Sequence, residues 1–253
     1  MKVFGLQFDI AWENKPANFA TVRRLLEKER PEKGSLTVLP EMFATGFSMN
    51  ADSIAEPYGG ETENFLGTLA REFQVWLIGG AAMRGRDGRA MNKAIVFSPE
   101  GELKAFYAKM RIFSPGGENK HYAAGEKLVS FSWGDCVVCP LICYDLRFPE
   151  LFRRAIAAHK PDLFVIIANF PEKRIRHWVR LLQARAVENQ AYVVGVNRIG
   201  TDPIQGYAGQ SMIVDPDGEI VAEAGKNETV FSAELDIARL RQYRQKLPFL
   251  EDM

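Results

Sequence analysis

The sequence has little of several features that would assign it to a specialised class of protein. Its 253 residues include only three cysteines, and 32 basic and 32 acidic residues give a formal net charge of zero. Three cysteines are too few for a disulfide framework, and an odd number is typical of a reducing compartment, so we expect a cytoplasmic protein. Without an excess of either charge, nothing in the composition favours binding to nucleic acid or to an anionic membrane.

Long apolar runs are also missing. No stretch of about 18 apolar residues is present to span a membrane, so we expect no membrane partner. The N-terminus, MKVFGLQFDIAW, alternates like a strand and is interrupted by Asp9, whereas a signal peptide has a continuous apolar segment. What is present, 47% hydrophobic and 25% charged residues, predicts one globular α/β domain over residues 1–253.

Hydrophobic periodicity predicts alternating strands and helices. The predicted strands are short apolar runs: Val3 to Phe8, Ser35 to Leu39, Val75 to Ala82, Cys136 to Ile142, Asp162 to Ala168 and Tyr192 to Val196. The predicted helices carry an apolar stripe: one from Asn14 onward, Glu61 to Phe73, one from Pro149 through Ile156, Arg174 to Gln190 and Asp236 to Lys246. Pro140 inside a strand implies a bulge or an edge. The Gly79-Gly80 pair lacks a GxGxxG context and indicates close packing, not a dinucleotide site.

Two segments resemble each other. FSPEGELKAF around Gly101 and VDPDGEIVAE around Gly218 both place a Pro-acidic-Gly-Glu turn between apolar runs, which predicts two hairpins. This weak repeat suggests two similar α/β layers, each with paired strands and with helices on its outer face.

Three polar side chains each follow an apolar run. Cys143 follows CVVCPLI, Glu41 follows SLTVL with one proline between, and Lys109 follows LKAFYA. Because functional groups of α/β proteins gather at the carboxyl ends of strands, these three could converge on one pocket. A thiol that attacks a carbonyl carbon needs a base and a positive group, which a carboxylate and an ammonium supply. The helix predicted after Cys143 would favour its thiolate form.

Other interpretations of these residues are structural. Cys143 alone could be a packed core thiol, and Glu41 or Lys109 alone could be solvated. The pair Cys136 and Cys139 could belong to a redox or zinc motif, but it lacks a second pair of ligands. His121, His159 and His177 are scattered without ligand spacing, so we expect neither a metal nor a cofactor. The Gly-rich segment from Ala108 to Lys127 is long for a plain connection and is interpreted as a functional loop.

Together these segments resemble a known family. LPEMFATGF, YAKMRIF and LICYDLRFPE are similar, in this order, to the three signatures of the nitrilase superfamily, the carbon–nitrogen hydrolases. The resemblance continues through GGENKHYAAGE, HWVRLLQARAVENQAYVVGVNR and SMIVDPDGEIVAEA, and so covers nearly the whole chain. Arg111 and Ile112 stand where the family often has His and Leu. The resemblance implies an αββα sandwich that pairs with a second chain as αββα-αββα.

The resemblance also implies roles for individual residues. Glu41, Lys109 and Cys143 match the catalytic triad, and Glu118 matches a second glutamate that positions the substrate and the triad. Lys109 and the backbone N–H of Tyr144 would hold the oxyanion. A homodimer would form through the helices at Leu151 to His159 and Arg174 to Gln190.

Within the superfamily the chain resembles the omega-amidases, which hydrolyse the terminal amide of α-keto acids such as 2-oxoglutaramate. Position alone leaves Arg147 open between a substrate carboxylate and a structural pair with Asp145 or Glu150, and the resemblance favours the substrate. Aromatic residues near the motifs are candidate pocket walls: Phe43, Phe113, Phe148 and Phe170. The alternatives are an N-carbamoyl amino acid amidohydrolase, an aliphatic amidase, a nitrilase, a peptidoglycan-type amidase, or a non-catalytic binding protein that retains the fold.

Overall fold

A computed structural model describes residues 1–252 and contains fourteen strands in that range. In chain order they are β1 (Lys2–Gln7), β2 (Leu36–Val38), β3 (Trp76–Arg84), β4 (Ala90–Phe97), β5 (Leu103–Ala108), β6 (Phe131–Trp133), β7 (Cys136–Ile142), β8 (Leu163–Ile167), β9 (Tyr192–Val196), β10 (Ile199–Thr201), β11 (Gly206–Ala208), β12 (Met212–Val214), β13 (Ile220–Glu223) and β14 (Thr229–Glu234). They form two six-stranded sheets, β14-β1-β2-β3-β4-β5 and β13-β12-β9-β8-β7-β6, and a small hairpin of β10 and β11.

Six helices accompany the two large sheets. They are α1 (Lys15–Glu29), α2 (Ala51–Ile54), α3 (Glu61–Phe73), α4 (Pro149–His159), α5 (Ile175–Asn189) and α6 (Ile237–Lys246). Four of them, α1, α3, α4 and α5, form the outer layers. Helices α1 and α3 contact each other and the first sheet, whereas α4 and α5 contact each other and α5 contacts the second sheet. No helix within residues 1–252 is long and apolar enough to cross a membrane. The layers are therefore αββα, as the resemblance implies.

The two large sheets share one plan. In each, three parallel strands (β1, β2, β3 and β7, β8, β9) are flanked by one antiparallel strand (β14 or β6) and by an antiparallel hairpin (β4 and β5, or β12 and β13). Both hairpins carry an irregularity in register, at Val96/Phe97 and at Ile213/Val214. These are the hairpins that the repeated turn predicts, so the hypothesis of two similar layers is confirmed.

The largest core lies between the two sheets. It joins apolar side chains of the first sheet, such as Val38 and Val96, to those of the second, such as Leu141 and Val165, all fully buried. Burying a side chain of this size contributes about 1.5–3 kcal/mol. A second core fills the space between the first sheet and helices α1 and α3, and contains Leu26 and Leu66. Two rigid layers packed on each other therefore hold the strand ends in fixed positions.

The predicted strands and helices are confirmed to within one or two residues, except that α4 continues three residues beyond Ile156 to His159. Asn14 caps α1, since its side chain accepts from the N–H of Ala17. Pro140 pairs with Val165 of β8 on one side. On the other side it has no partner among the strands of residues 1–252, because β6 begins at Phe131, opposite Val138, so the edge interpretation holds. Gly80 shows why the glycine pair is needed: a Cβ there would lie 2.5 Å from the backbone N of Met42 and 2.6 Å from the Cα of Glu41.

Candidate active site

Strand topology brings the predicted side chains to one edge of the molecule. Glu41 follows β2 and Lys109 follows β5, and these strands run in the same direction because β4 lies antiparallel to both β3 and β5. Cys143 follows β7 at the corresponding end of the second sheet. Glu118 comes from a short 3₁₀ turn, Glu118–Lys120, in the loop after β5. The site therefore forms between the two layers, with residues from both.

The centre of the site is a buried ionic cluster. The Nζ of Lys109 lies 2.9 Å from Oε1 of Glu41 and 3.0 Å from Oε2 of Glu118, and none of the three side chains is exposed. Burial by itself lowers the pKa of Lys109, but the charges of Glu41 and then Glu118 outweigh it, so the pKa is raised and the ammonium stays charged. Removing one partner of such a buried pair costs about 3–5 kcal/mol. Glu41, Lys109 and Glu118 thus form one unit.

Two asparagines complete the hydrogen bonds of Glu41. The side-chain amide of Asn92 donates to Oε1 of Glu41 at 2.6 Å and to Oε1 of Glu118 at 3.1 Å. The backbone N–H of Asn169 donates to Oε2 of Glu41 at 2.7 Å, and its side-chain amide donates to the backbone oxygen of Glu41 at 2.5 Å. A carboxylate with donors on both oxygens is held in one orientation.

The loop that carries Glu118 is closed on itself. The backbone N–H of Phe113 donates to Oε2 of Glu118 at 2.6 Å, and the N–H of Gly125 donates to the backbone oxygen of Lys109 at 2.8 Å. The loop interpreted from sequence as functional is therefore ordered around the ionic cluster. The hydrogen bond between Gly125 and Lys109 joins the two ends of the loop.

Cys143 occupies a sharp turn between β7 and a 3₁₀ segment. Its φ of 45° is unusual for a residue with a side chain, and its Sγ lies 3.9 Å from the backbone oxygen of Asn169. Burial and the charge of Glu41 raise the pKa of the thiol, although Lys109 opposes this. The expectation that the resting thiolate is favoured was therefore wrong in direction. A 3₁₀ segment, Cys143–Arg147, separates the thiol from helix α4, so the helix end does not offset burial.

Asp145 stabilises this turn by accepting three hydrogen bonds. It accepts from the backbone N–H of Ile142 at 3.0 Å, from the hydroxyl of Tyr107 at 2.8 Å and from the N–H of Arg111 at 2.8 Å. Burial raises its pKa to about 6, against these hydrogen bonds. Glu150, the other acid considered as a partner of Arg147, pairs with Arg111 at 2.8 Å. The structural pairing considered for Arg147 is therefore not present.

A narrow cavity opens onto the thiol. Its free volume is about 20 Å³, which is enough for one water molecule. It is lined by residues of both layers and of the loops between them: Phe47, Lys109, Phe113, Cys143, Tyr144, Arg147, Asn169, Phe170, Arg174 and Gln205. A larger outer cavity of about 490 Å³ shares Phe47, Phe113, Arg174 and Gln205 with it. The outer cavity therefore lies next to the cavity at Cys143.

The structure separates the four aromatic candidates. Phe113 and Phe170 line the cavity. Phe43 does not: it is fully buried in the core under α1 and α3, with its ring 6.1 Å from that of Phe19. Phe148 packs edge-to-face against Tyr144, with 5.1 Å between the ring centroids, and does not line the cavity. Both were wrong as wall residues because proximity in sequence does not fix which face of a turn a ring takes.

Sequence reasoning missed Asn92, Asn169, Arg174 and Gln205. Asn169 had a usable signal, since it follows the apolar run DLFVIIA as Cys143 follows CVVCPLI. Asn92 is a polar residue inside the otherwise apolar β4, and such a residue needs a buried partner. Arg174 ends a 3₁₀ turn, Glu172–Arg174, directly before α5, and Gln205 lies on a loop; neither carries a comparable signal. Their positions depend on how the loops pack in three dimensions.

This fold and cluster define a class. The family model of the carbon-nitrogen hydrolases matches residues 5–245, and the chain belongs to that family, within the nitrilase superfamily. It is an enzyme of that family.

Particular relatives match over nearly the whole length. The chain is 38% identical to the omega-amidase YafV of Escherichia coli K12, over 100% of this chain and 96% of that protein. It is 32% identical to the 2-oxoglutaramate amidase of Bacillus subtilis 168, over 98% and 95%. Among solved structures it is similar to XC1258 of Xanthomonas campestris, a CN-hydrolase superfamily protein with an arsenic adduct in its active site, with a TM-score of 0.95, 31% identity and coverage of 100% and 97%. The relatives with named activities are amidases.

Proposed function

We propose that this protein is a thiol amidase that hydrolyses the terminal amide of small α-keto acids, such as 2-oxoglutaramate, to the acid and ammonia. The observation that carries the proposal is the placement of Cys143 beside a buried Glu41–Lys109 pair in a cavity that Arg147 also lines. The named activities of the relatives from Escherichia coli and Bacillus subtilis support the same substrate class.

In the first half of the reaction, Glu41 removes the proton from the Sγ of Cys143 as the sulfur attacks the amide carbon. Because burial keeps the resting cysteine protonated, the base is needed at this step. The carbonyl oxygen becomes an oxyanion, which the ammonium of Lys109 and the N–H of Tyr144 stabilise. When this intermediate collapses, the proton on Glu41 passes to the departing nitrogen and ammonia leaves. A thioester remains on Cys143.

In the second half, a water molecule takes the place of ammonia. Glu41 removes one of its protons as the oxygen attacks the thioester carbon, and the same oxyanion site holds the second tetrahedral intermediate. Collapse releases the carboxylic acid and returns the proton to the sulfur. Glu118 positions Lys109 throughout, through the contact of 3.0 Å between them. Asn92 and Asn169 keep the carboxylate of Glu41 oriented between the two half-reactions.

Arg147 supplies the preference for an acid. Its guanidinium is partly buried at the cavity, stacks on Phe170 with 5.3 Å between the charge centre and the ring centroid, and contacts Nδ1 of His177 at 3.3 Å. A bidentate pair with a carboxylate contributes about 1.5–3 kcal/mol. The amide would therefore lie at Cys143 and the carboxylate at Arg147, at opposite ends of a short substrate.

Ammonia release from a panel of substrates tests the proposal. We expect 2-oxoglutaramate to exceed butyramide, a short aliphatic nitrile and an N-carbamoyl amino acid in kcat/KM, and EDTA to leave the rate unchanged. Cys143→Ala should abolish release, whereas Cys139→Ala, at a buried position on β7, should retain it. If the nitrile or the N-carbamoyl amino acid had the highest kcat/KM, the proposed substrate class would be wrong. Release by Cys143→Ala above background would refute the nucleophile.

We also propose a homodimer that forms through α4 and α5. Both helices are coupled to the site, since α5 contacts the 3₁₀ segment of the nucleophile and Arg185 of α5 donates two hydrogen bonds to the backbone oxygen of Leu146. Separating the chains should therefore loosen the turn at Cys143. Light scattering at micromolar concentration should give twice the mass of one chain, and a fully active monomer would contradict this.

The compartment follows from the thiols. Cys136, Cys139 and Cys143 are all free in the structure, and Cys143 must be reduced to act. A cytoplasmic location is therefore proposed, because reducing conditions there keep such thiols unoxidised. Loss of activity under mild oxidation, restored by dithiothreitol, would support this requirement.

A further inference from the structure

A second arginine lies at the substrate cavity. Arg174 precedes helix α5 and lines both the inner cavity, with Cys143 and Arg147, and the outer one. Its guanidinium stacks on Phe113, 5.3 Å from the ring centroid, much as that of Arg147 stacks on Phe170. Two aromatic rings therefore hold two cations at one opening.

Neither cation has an acidic partner within residues 1–252, since no carboxylate oxygen lies within 4.0 Å of either guanidinium there. Burial, and after it the charge of Arg174, lowers the pKa of Arg147. The two guanidiniums are therefore close enough to repel each other. Two acids line the outer cavity, Glu13 and Asp202, and both accept hydrogen bonds from hydroxyls, of Ser48 and Tyr207 respectively.

Arginines elsewhere in the chain behave differently. Three well-buried arginines pair with acids, Arg185 with Glu188, Arg198 with Asp9 and Arg244 with Asp162, and the more exposed Arg111 pairs with Glu150. Two converging cations without such a partner are costly unless an anion binds between them. The pair at the cavity thus fits a ligand of negative charge better than a structural role.

We propose that Arg174 is a second substrate-binding residue, and that the pair of Arg147 and Arg174 selects α-keto acid amides over α-amino acid amides by charge. This inference rests on the proposed function and deepens it. In an α-keto acid the carboxylate neighbours a neutral ketone, whose oxygen accepts N–H hydrogen bonds from a guanidinium. In an α-amino acid it neighbours an ammonium, which two guanidiniums repel. The acids of the outer cavity, Glu13 and Asp202, already accept hydrogen bonds from hydroxyls and pair with neither guanidinium.

The two arginines divide the task by position. Arg147 lies four residues after the nucleophile and lines only the inner cavity, whereas Arg174 also faces the outer one. A ligand entering from the outer cavity passes Arg174 before its amide reaches Cys143. The α substituent, next to the carboxylate, then remains between the two cations during turnover.

The test compares 2-oxoglutaramate with L-glutamine, which differ only in the α substituent. We expect Arg174→Met to raise KM for 2-oxoglutaramate about tenfold, equivalent to about 1.4 kcal/mol. The same variant should leave kcat/KM for L-glutamine unchanged or raise it. The ratio of kcat/KM for 2-oxoglutaramate to that for L-glutamine should therefore fall at least about tenfold. Lys173→Met is the matched control, because it removes an exposed positive charge one residue away and outside the cavity. It should not change the ratio.

The possible outcomes separate failure of the role given to Arg174 from failure of the proposed function. Equal losses for both substrates, or an unchanged ratio, would make Arg174 a structural residue and overturn the inference. If the unmodified enzyme hydrolyses neither amide, the proposed function itself fails. Should Arg174→Met not fold, Arg174→Lys serves instead: it keeps the charge but loses the planar fork, so KM should rise while the ratio stays near that of the unmodified enzyme. A ratio that collapses in Arg174→Lys would contradict selection by charge.

Discussion

Two groups of charges lie at one cavity and are built in opposite ways. In the ionic cluster, Lys109 is enclosed by Glu41 and Glu118, and no atom of the three side chains is exposed. In the arginine pair, Arg147 and Arg174 are partly exposed and are held by aromatic rings instead of acids. The cation of the first group is neutralised by acids of the protein, and the cations of the second group are not.

The difference separates the chemistry from the choice of substrate. A cluster whose hydrogen bonds are complete before substrate arrives needs no rearrangement during the reaction, which is how preorganised sites lower a barrier. A cationic pair without acids is complete only when an anion binds, so it favours particular ligands instead of a particular step. Changes in the cluster should therefore affect kcat, and changes in the pair should affect KM and specificity.

Among changes to the two groups of charges, the largest expected effect comes from Glu41→Gln. Losing the base should lower turnover at least about 1,000-fold. The same change should speed alkylation of Cys143 by iodoacetamide at pH 7. Burial and the charge of Glu41 both raise the pKa of the thiol, so removing that charge lowers the pKa and increases the thiolate fraction.

The pH dependence of alkylation tests whether the pKa of the Cys143 thiol is raised or lowered. In the unmodified enzyme the thiol pKa is raised, so the alkylation rate should keep rising about tenfold per pH unit from pH 6 to pH 9. A rate that levels off near neutral pH would show a stable thiolate instead. Cys143→Ala should remain unlabelled, because burial raises the pKa values of Cys136 and Cys139 to about 12.

A smaller loss is expected from Gly80→Ala, which moves the cluster without altering its chemistry. The added Cβ meets backbone atoms of Glu41 and Met42 at 2.6 Å and 2.5 Å, so the carboxylate must shift. A displacement of about 1 Å costs about 100-fold in kcat. Gly79→Ala is the control, since its Cβ would meet side-chain atoms, with Leu66 Cδ2 nearest at 2.9 Å. It should lower the Tm and spare kcat, and equal kinetic losses would show that the whole strand matters.

The strand ends were predictable from sequence and the loops were not. Glu41, Lys109 and Cys143 each follow an apolar run whose direction the α/β pattern fixes, so their convergence follows from topology. Gly79-Gly80 was interpretable as close packing, but only the structure shows that Gly80 packs against the backbone of Glu41.

Other features depend on three-dimensional packing. Phe43 and Phe148 lie beside the motifs in sequence, yet turn geometry directs them into the core and behind Tyr144. The raised pKa of Cys143 depends on how far burial exceeds the help of Lys109, a balance that no motif encodes. Arg174 enters the site from the 3₁₀ turn before α5, which lies far from Cys143 in the sequence.

The smallest effect expected is on stability, and it sharpens the contrast between the two groups of charges. Without ligand, Arg147→Met should leave the Tm unchanged or raise it by about 2 °C, because it relieves repulsion between two cations that have no acid. Glu41→Gln, in contrast, should lower the Tm, because it removes a charge that a buried ammonium needs.

Adding 2-oxoglutarate, the product of the proposed reaction, at about ten times its Kd should stabilise the unmodified enzyme by about 1.4 kcal/mol. For a chain of this size that is about 3–6 °C in Tm, and uncharged butyramide should have no such effect. The stabilisation should disappear in Arg147→Met and shrink with added salt. If Arg147→Met destabilised the free enzyme as much as Glu41→Gln does, Arg147 would belong to the framework of the fold, and the division between a neutralised cluster and a ligand-dependent pair would fail.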